Sequence, residues 1–112
     1  MKIQDKVGIV TGAASGIGRA TTLELVTQGV KGIALVDLSE TAVVELAQQI
    51  NESAGREVAL AFAGDVTDAE FRARVFDETS HHHGIIQIMV PSAGIFRDRL
   101  AVKIERDTGE AN

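Results

Sequence analysis

The sequence predicts an α/β fold in which helices cover both faces of an open, parallel sheet. Two observations support this prediction. Four short apolar runs of strand length alternate with three stretches of helical periodicity, in the order βαβαβαβ. The apolar runs lack the polar alternation of a half-exposed strand, which is typical of parallel strands buried on both faces and joined by right-handed crossovers.

The strands and helices each have a local signal. The four strands are expected at Val7–Thr11, Gly32–Asp37, 57–65 and 85–90, and Pro91 is expected to end the last one because it cannot donate a ladder hydrogen bond. The first helix is expected over residues 17–28, with Ile17 and Leu25 facing inward and Gly29 as its C-cap.

The other two helices begin with recognisable caps. Ser39 is expected to cap a helix whose inner face carries Val43, Leu46, Ala47 and Ile50. Thr67 and Glu70 have the spacing of a capping box at the start of the third helix, which carries Phe71, Val75 and Phe76.

Composition excludes several classes of function. The 112 residues include 16 acidic and 11 basic side chains, giving a net charge of -5 without a basic cluster, so we expect no nucleic-acid partner. No apolar run approaches the ~18 residues of a membrane span, so no membrane partner is expected either. The absence of cysteine suits a reducing compartment, and a cytoplasmic location is the expectation.

A glycine-rich stretch, TGAASGIG, connects the first strand to the first helix. Gly12 allows a tight turn, Gly16 and Gly18 leave room for close approach, and Ser15 offers a hydroxyl. Such a turn lets phosphates reach the free amides and the positive dipole end of a helix. The alternative is a tight turn with no ligand, and the glycines alone do not decide between the two.

Asp37 adds a second signal, at the carboxyl end of the second strand. A dinucleotide-binding fold places an acid here, about 20 residues after the glycines, to bind the ribose hydroxyls. The carboxylate would repel a 2′-phosphate, and neither Ser15 nor Leu38 is basic, which favours NAD over NADP. The alternative is an aspartate that caps the following turn.

Together these residues resemble the short-chain dehydrogenase/reductase family. TGAASGIG matches that family's Thr-Gly-x3-Gly-x-Gly fingerprint, and Gly64–Val66 resembles its segment after the third strand, where Asp65 and Val66 would hold the adenine. Residues 91–94, PSAG, resemble its Asn-Asn-Ala-Gly segment, with Pro91 and Ser92 in place of the asparagines. The resemblance implies a Rossmann-like sheet of order 3-2-1-4, here cut short after the fourth strand.

The resemblance also implies which residues bind the cofactor and what is missing. The cofactor-binding set is Gly12, Ser15, Gly16, Ile17, Gly18, Asp37, Leu38, Asp65, Val66, Ser92, Ala93 and Gly94. The family's catalytic serine and Tyr-x3-Lys have no counterpart, since the sequence contains no tyrosine. We therefore expect no catalytic residue here, and an alcohol or carbonyl substrate only where a catalytic half is present.

Three hypotheses remain open at the level of sequence. The chain is the NAD(H)-binding portion of an oxidoreductase, a stand-alone NAD-binding or sensing module, or a structural domain with a vestigial phosphate loop. Residues 1–94 are expected to form the dinucleotide-binding unit and 95–112 a loop leading toward the missing half. An unpaired edge on the fourth strand predicts self-association or marginal stability.

The histidines at positions 81–83 could suggest a metal site. Consecutive residues on a helix point in different directions, however, and do not converge as a pair spaced by four does. A solvated helix terminus is the expectation, and no metal is predicted.

Overall fold

The computed structural model describes residues 2–92 and has the expected alternation of strands and helices. The elements are β1 (Val7–Thr11), α1 (Gly16–Thr27), β2 (Gly32–Asp37), α2 (Glu40–Ala54), β3 (Ala59–Ala63), α3 (Ala69–His83) and β4 (Ile86–Pro91). Ala93 and Gly94, predicted to bind the cofactor, and residues 95–112, predicted to form a loop, lie outside the described residues.

The four strands form one parallel sheet in the order β3-β2-β1-β4, which confirms the predicted topology. In the register of the sheet, Ile9 of β1 lies beside Ala34 of β2 on one side and Met89 of β4 on the other, and Ala34 lies beside Leu60 of β3. All four strands therefore end at the same edge of the sheet, and the loops that follow them come together there.

Helices cover both faces of the sheet, as predicted. On one face, α1 and α2 pack over β1 and β2 through a buried cluster that includes Leu25, Val43, Leu46, Ile33 and Leu35. On the other face, α3 packs through Val75 onto a smaller cluster made of Ile9, Ala34, Val36 and Phe62. The inner face of α2 is the one that the periodicity predicts, because its four predicted residues are all buried.

The helix starts agree with the sequence in one case and differ in another. Ser39 caps α2, its hydroxyl oxygen accepting a hydrogen bond from the Ala42 amide at 3.3 Å. The predicted capping box at Thr67 is wrong, because Asp68 is the N-cap of α3 and accepts from the Glu70 amide at 3.0 Å. An aspartate one position later serves the same purpose, since its short carboxylate reaches the same free amides.

Two predictions for α1 need correction. The helix begins at Gly16, and Ile17 is 69% exposed instead of facing inward. The C-cap is Gln28, and Gly29 follows it with φ of 87°, the left-handed conformation that glycine adopts at least cost.

The last two strands are displaced from their predicted bounds. β3 is shorter than predicted and covers only residues 59–63, while β4 starts at Ile86 and includes Pro91. Ile85, predicted as its first residue, is 82% exposed. Pro91 is tolerated because β4 has only β1 as a neighbour among residues 2–92, so one side of its backbone has no ladder to interrupt.

Asn51 of α2 stabilises the start of β3. Its side-chain oxygen accepts hydrogen bonds from the amides of Val58 and Ala59, both at 2.8 Å, and its amide nitrogen donates to the Ala59 carbonyl at 3.0 Å. One side chain thus satisfies three backbone groups that the sheet leaves without partners at this point.

The three histidines at the end of α3 are not all solvated, contrary to the prediction. His81 and His82 are exposed, but His83 is buried against β2. In the part of the chain that the structure describes, His, Asp and Glu side chains nowhere form a group of three that could hold a metal ion. None of the helices within residues 2–92 has the length and apolarity needed to cross a membrane.

Candidate functional site

The glycine-rich loop lies at the carboxyl edge of the sheet, between β1 and α1. Gly12 and Gly16 have φ values of 64° and 55°, in the left-handed region where a side chain is strained. The loop is tied to β2 by a hydrogen bond of 3.1 Å from the Ala13 amide to the Val36 carbonyl. Two left-handed glycines and this tether fix the loop against the ends of both central strands.

The start of α1 carries free hydrogen-bond donors. The amides of Gly16, Ile17 and Gly18 donate to no acceptor within residues 2–92, as expected for a first helical turn without a side-chain cap. Ser15 occupies the N-cap position, but its side chain makes no capping hydrogen bond, and the first turn contains no acidic residue. The positive end of the helix dipole is therefore not neutralised locally, which suits an anion.

The space around the glycines differs from one position to the next. A Cβ placed on Gly16 would have no atom within 4 Å, so this position opens outward. A Cβ on Gly18 would lie 1.9 Å from the Gly12 carbonyl oxygen and 2.7 Å from the Ser92 hydroxyl. Gly18 therefore allows the helix to approach the loop and the end of β4, whereas Gly16 leaves an open surface above the loop.

Asp37 links the end of β2 to the glycine-rich loop. One carboxylate oxygen accepts a hydrogen bond from the Ala14 amide at 3.0 Å, and the other accepts from the Ser39 amide at 3.2 Å. The second contact is the turn-capping role that the sequence left as an alternative. The first contact places the carboxylate directly beside the loop, so the two strongest sequence signals meet at one place.

Two exposed apolar side chains flank this edge. Leu38 follows Asp37 and is 73% exposed, and Ile17 lies between the two glycines at the start of α1. Large apolar side chains of such exposure offer contact surface for flat ring systems.

The segment after β3 is held by local hydrogen bonds. An Asp65 carboxylate oxygen accepts from the Thr67 amide at 2.8 Å and from the Thr67 hydroxyl at 2.7 Å, and the Val66 carbonyl accepts from the Arg72 guanidinium at 2.9 Å. The segment is adjacent to β2, because the Gly64 amide donates to the Asp37 carbonyl at 3.0 Å. Asp65 thus orders the turn that contains Val66.

Ser92 closes the other side of the site. Its hydroxyl donates a hydrogen bond to the Thr11 carbonyl, which joins the end of β4 to the end of β1. Ala93 and Gly94 of the predicted set lie outside the described residues, so the structure brings together the other ten.

Sequence reasoning missed two contacts of this site. Ala14 occupies one of the variable positions of the fingerprint, and nothing in its side chain signals that its amide binds Asp37. The Thr11 carbonyl was likewise not expected as the acceptor for Ser92. Both are backbone groups, which a residue pattern does not reveal.

A sizeable groove in the described part of the chain lies elsewhere. It has a volume of about 610 Å³ and lies between β3 and the C-terminal half of α3, lined in part by Leu60, Asp77 and His81. None of the predicted cofactor-binding residues contributes to it. The chemistry at the carboxyl edge, rather than the size of a cavity, therefore identifies the candidate site.

The residues present fit a dinucleotide. Free amides at a helix start suit a pyrophosphate, the open surface over Gly16 admits it, and a carboxylate beside the loop can accept hydrogen bonds from ribose hydroxyls.

Curated relatives align with nearly the whole chain. A 3-oxoacyl-[acyl-carrier-protein] reductase of Thermotoga maritima is 33% identical over 99% of this chain and 44% of its own length. A D-threitol dehydrogenase of Mycolicibacterium smegmatis is 40% identical over 86% of this chain and 36% of its own length. Human 15-hydroxyprostaglandin dehydrogenase [NAD(+)] is 34% identical over 88% of this chain and 37% of its own length. The chain thus spans less than half the length of these relatives.

Solved structures have the same architecture. A hydroxysteroid dehydrogenase from Escherichia coli superposes with a TM-score of 0.74 at 26% identity, over 83% of this chain and 38% of that one. A short chain dehydrogenase/reductase from Burkholderia phymatum in complex with NAD superposes with a TM-score of 0.72 at 25% identity, over 80% of this chain and 31% of that one. The short chain dehydrogenase family model matches residues 6–111. This chain is a member of the short-chain dehydrogenase family.

Proposed function

We propose that this chain binds NAD(H) at the carboxyl edge of its sheet and forms the cofactor-binding portion of an oxidoreductase acting on an alcohol or carbonyl substrate. The observation that carries the proposal is the Asp37 carboxylate, 3.0 Å from the Ala14 amide, beside the free amides of α1. An acid for the ribose and donors for the pyrophosphate are thereby adjacent.

Each described site residue has a role in this proposal. The amides of Gly16, Ile17 and Gly18 bind the pyrophosphate, with the Ser15 hydroxyl as an additional donor and Gly12 forming the turn. The remaining described residues surround the rings and sugars: Asp37, Leu38, Asp65, Val66 and Ser92. Ala93 and Gly94 stay predicted cofactor-binding residues on the family resemblance alone.

We infer that NAD is preferred over NADP. The Asp37 carboxylate would repel a 2′-phosphate at the position where it accepts hydrogen bonds from a ribose. Two relatives support this preference: the human 15-hydroxyprostaglandin dehydrogenase is named for NAD(+), and the Burkholderia phymatum structure is a complex with NAD.

The chemistry divides between the cofactor and the protein. A bound nicotinamide would exchange a hydride with the substrate carbon. The described residues bind and orient the dinucleotide, and we assign no catalytic residue among them. The tyrosine that the family resemblance implies as the proton donor has no counterpart in a sequence without tyrosine.

Isothermal titration calorimetry with NAD, NADP and AMP tests the proposal. We expect NAD to bind more tightly than NADP, because only NADP brings a phosphate against Asp37. AMP should bind more weakly than NAD, since it lacks the pyrophosphate bridge to α1. The absence of heat with every nucleotide, from a chain whose circular dichroism shows a folded α/β protein, would contradict the proposal.

Two further expectations accompany it. β4 has one unpaired edge among the described residues, and we propose that the chain self-associates through it. A cytoplasmic location stays a prediction from the cysteine-free sequence.

A further inference from the structure

His83, the last residue of α3, is enclosed against the start of β2. Its side chain is only 8% exposed. A Cβ placed on Gly32 would lie between 2.1 and 2.5 Å from three atoms of the imidazole ring, so the ring packs directly on the glycine backbone. The contact docks the C-terminal end of α3 onto the amino end of the sheet, opposite the candidate cofactor site.

The buried imidazole lacks a partner for one of its nitrogens. Nε2 of His83 is solvent-inaccessible and forms no hydrogen bond within residues 2–92. A neutral imidazole tolerates this position because one of its nitrogens carries no proton. An imidazolium would have a buried N–H donor with no acceptor and a charge with little solvation, which is costly.

The charged groups around His83 are mostly basic. Lys31, just before β2, places its ammonium nitrogen 3.7 Å from where a Cβ on Gly84 would lie. Arg56, in the connection between α2 and β3, donates to the carbonyls of Lys31 and Val30 at 2.9 and 3.3 Å. The two hydrogen bonds hold the Arg56 guanidinium against the chain just before β2.

The acidic group nearby already has a partner. Glu57 lies 2.7 Å from Nε2 of His82, the residue that precedes His83 on α3. The rings of His82 and His83 meet edge to face, with centroids 5.7 Å apart.

We propose that His83 makes the packing of α3 on the sheet sensitive to acid: its neutral ring packs the end of α3 on Gly32, and its protonation weakens that packing. The proposal stands on the enclosed ring, its unpartnered nitrogen and the two neighbouring cations. It concerns the edge of the sheet away from the cofactor site, so it is independent of the proposed function.

The direction of the pH dependence follows from the two states of the chain. Burial lowers the pKa of His83 in the folded chain, and the charges of His82, Arg56 and Lys31 lower it further, while Glu57 opposes them. In the unfolded chain the pKa is about 6.5. As the pH falls below that value, the unfolded chain takes up a proton that the folded chain resists, so the free energy of unfolding decreases. Above that pH the stabilising contribution of the neutral His83 ring is fully present.

The test compares urea unfolding at pH 7.5 and pH 5.5 for the 112-residue chain and three variants. His83→Gln keeps a neutral polar side chain, and Lys31→Gln removes one facing cation from an exposed position. His81→Gln, on the exposed face of the same helix, is the matched control. We expect acidification to lower the urea midpoint less in His83→Gln and Lys31→Gln than in the unmodified chain. In the control His81→Gln it should lower the midpoint as much as in the unmodified chain.

An equal decrease of the urea midpoint on acidification in the unmodified chain, His83→Gln and Lys31→Gln would overturn the proposal. If His83→Gln does not fold, the comparison of Lys31→Gln with the unmodified chain tests the proposal. In the native chain, the ring proton signals of His83 followed by NMR should titrate below the value for unfolded histidine. Titration at or above that value would also overturn it.

Discussion

The carboxylate of Asp37 accepts a hydrogen bond from the Ala14 amide at 3.0 Å, which joins the end of β2 to the glycine-rich loop after β1. The same carboxylate accepts from the Ser39 amide through its other oxygen. One acidic side chain therefore orders the loop, caps the following turn and supplies negative charge at the place where we propose that a ribose binds.

Replacing Asp37 with asparagine should alter cofactor preference. Asp37→Asn removes the charge that repels a 2′-phosphate and one of the two carboxylate acceptors. We expect NAD affinity to fall by about tenfold, equivalent to one hydrogen bond to a charged group, and NADP affinity to fall less or rise. Calorimetry with both dinucleotides measures the ratio.

Asp68→Asn is the matched control, because Asp68 also accepts a backbone hydrogen bond at a helix start but lies at the cap of α3. It should leave the NAD-to-NADP ratio unchanged. An unchanged ratio in Asp37→Asn would argue that Asp37 serves only the loop and the turn.

Gly16→Ala should weaken cofactor binding by narrowing the open surface above the loop. An added Cβ meets no protein atom within 4 Å, so it would project into the space proposed for the pyrophosphate. The left-handed φ of 55° adds a strain of about 1 kcal/mol. Thermal unfolding and NAD calorimetry on the same preparation separate the two effects.

Gly55→Ala is the control for this strain. Gly55 has φ of 72°, has equally open surroundings and caps α2 away from the site. We expect a similar loss of stability and unchanged NAD affinity. Equal NAD affinity in both variants would place the pyrophosphate elsewhere.

Asn51→Ala should destabilise the fold without touching the candidate site. The change removes the side-chain partner of the Ala59 amide and carbonyl and one of the two acceptors of the Val58 amide, which also donates to the Arg56 carbonyl at 3.1 Å. We expect the free energy of unfolding to fall by about 2 kcal/mol, measured by urea denaturation. Gln48→Ala, on the exposed face of the same helix, should change it by less than about 0.5 kcal/mol.

Met89→Lys should reduce self-association. Met89 is 42% exposed on β4, and a lysine on an edge strand opposes pairing with another copy. Light scattering at several concentrations should give a higher mean mass for the unmodified chain than for this variant. Val44→Lys, at a 39% exposed position on α2, is the control. An unmodified chain that stays monomeric at every concentration would refute the expected self-association.

The sequence predicted much of the fold because its signals are local. Strand-length apolar runs, the face of α2 and the Ser39 cap depend on residues that are near one another in the chain. Boundaries shifted where two local signals compete. At the start of α3, Thr67 and Asp68 are both capable caps, and Asp68 takes the role.

Residue types alone also determined the candidate site in outline. Glycines at fixed spacing and an acid at the end of the next strand specify a loop and a nearby charge. Only the tertiary structure decided how they meet, because the bond between Asp37 and Ala14 joins residues 23 positions apart and uses a backbone amide that no side chain announces. The burial of His83 has the same origin. His81 and His82, which precede it, are exposed, and the packing of α3 on Gly32 encloses it.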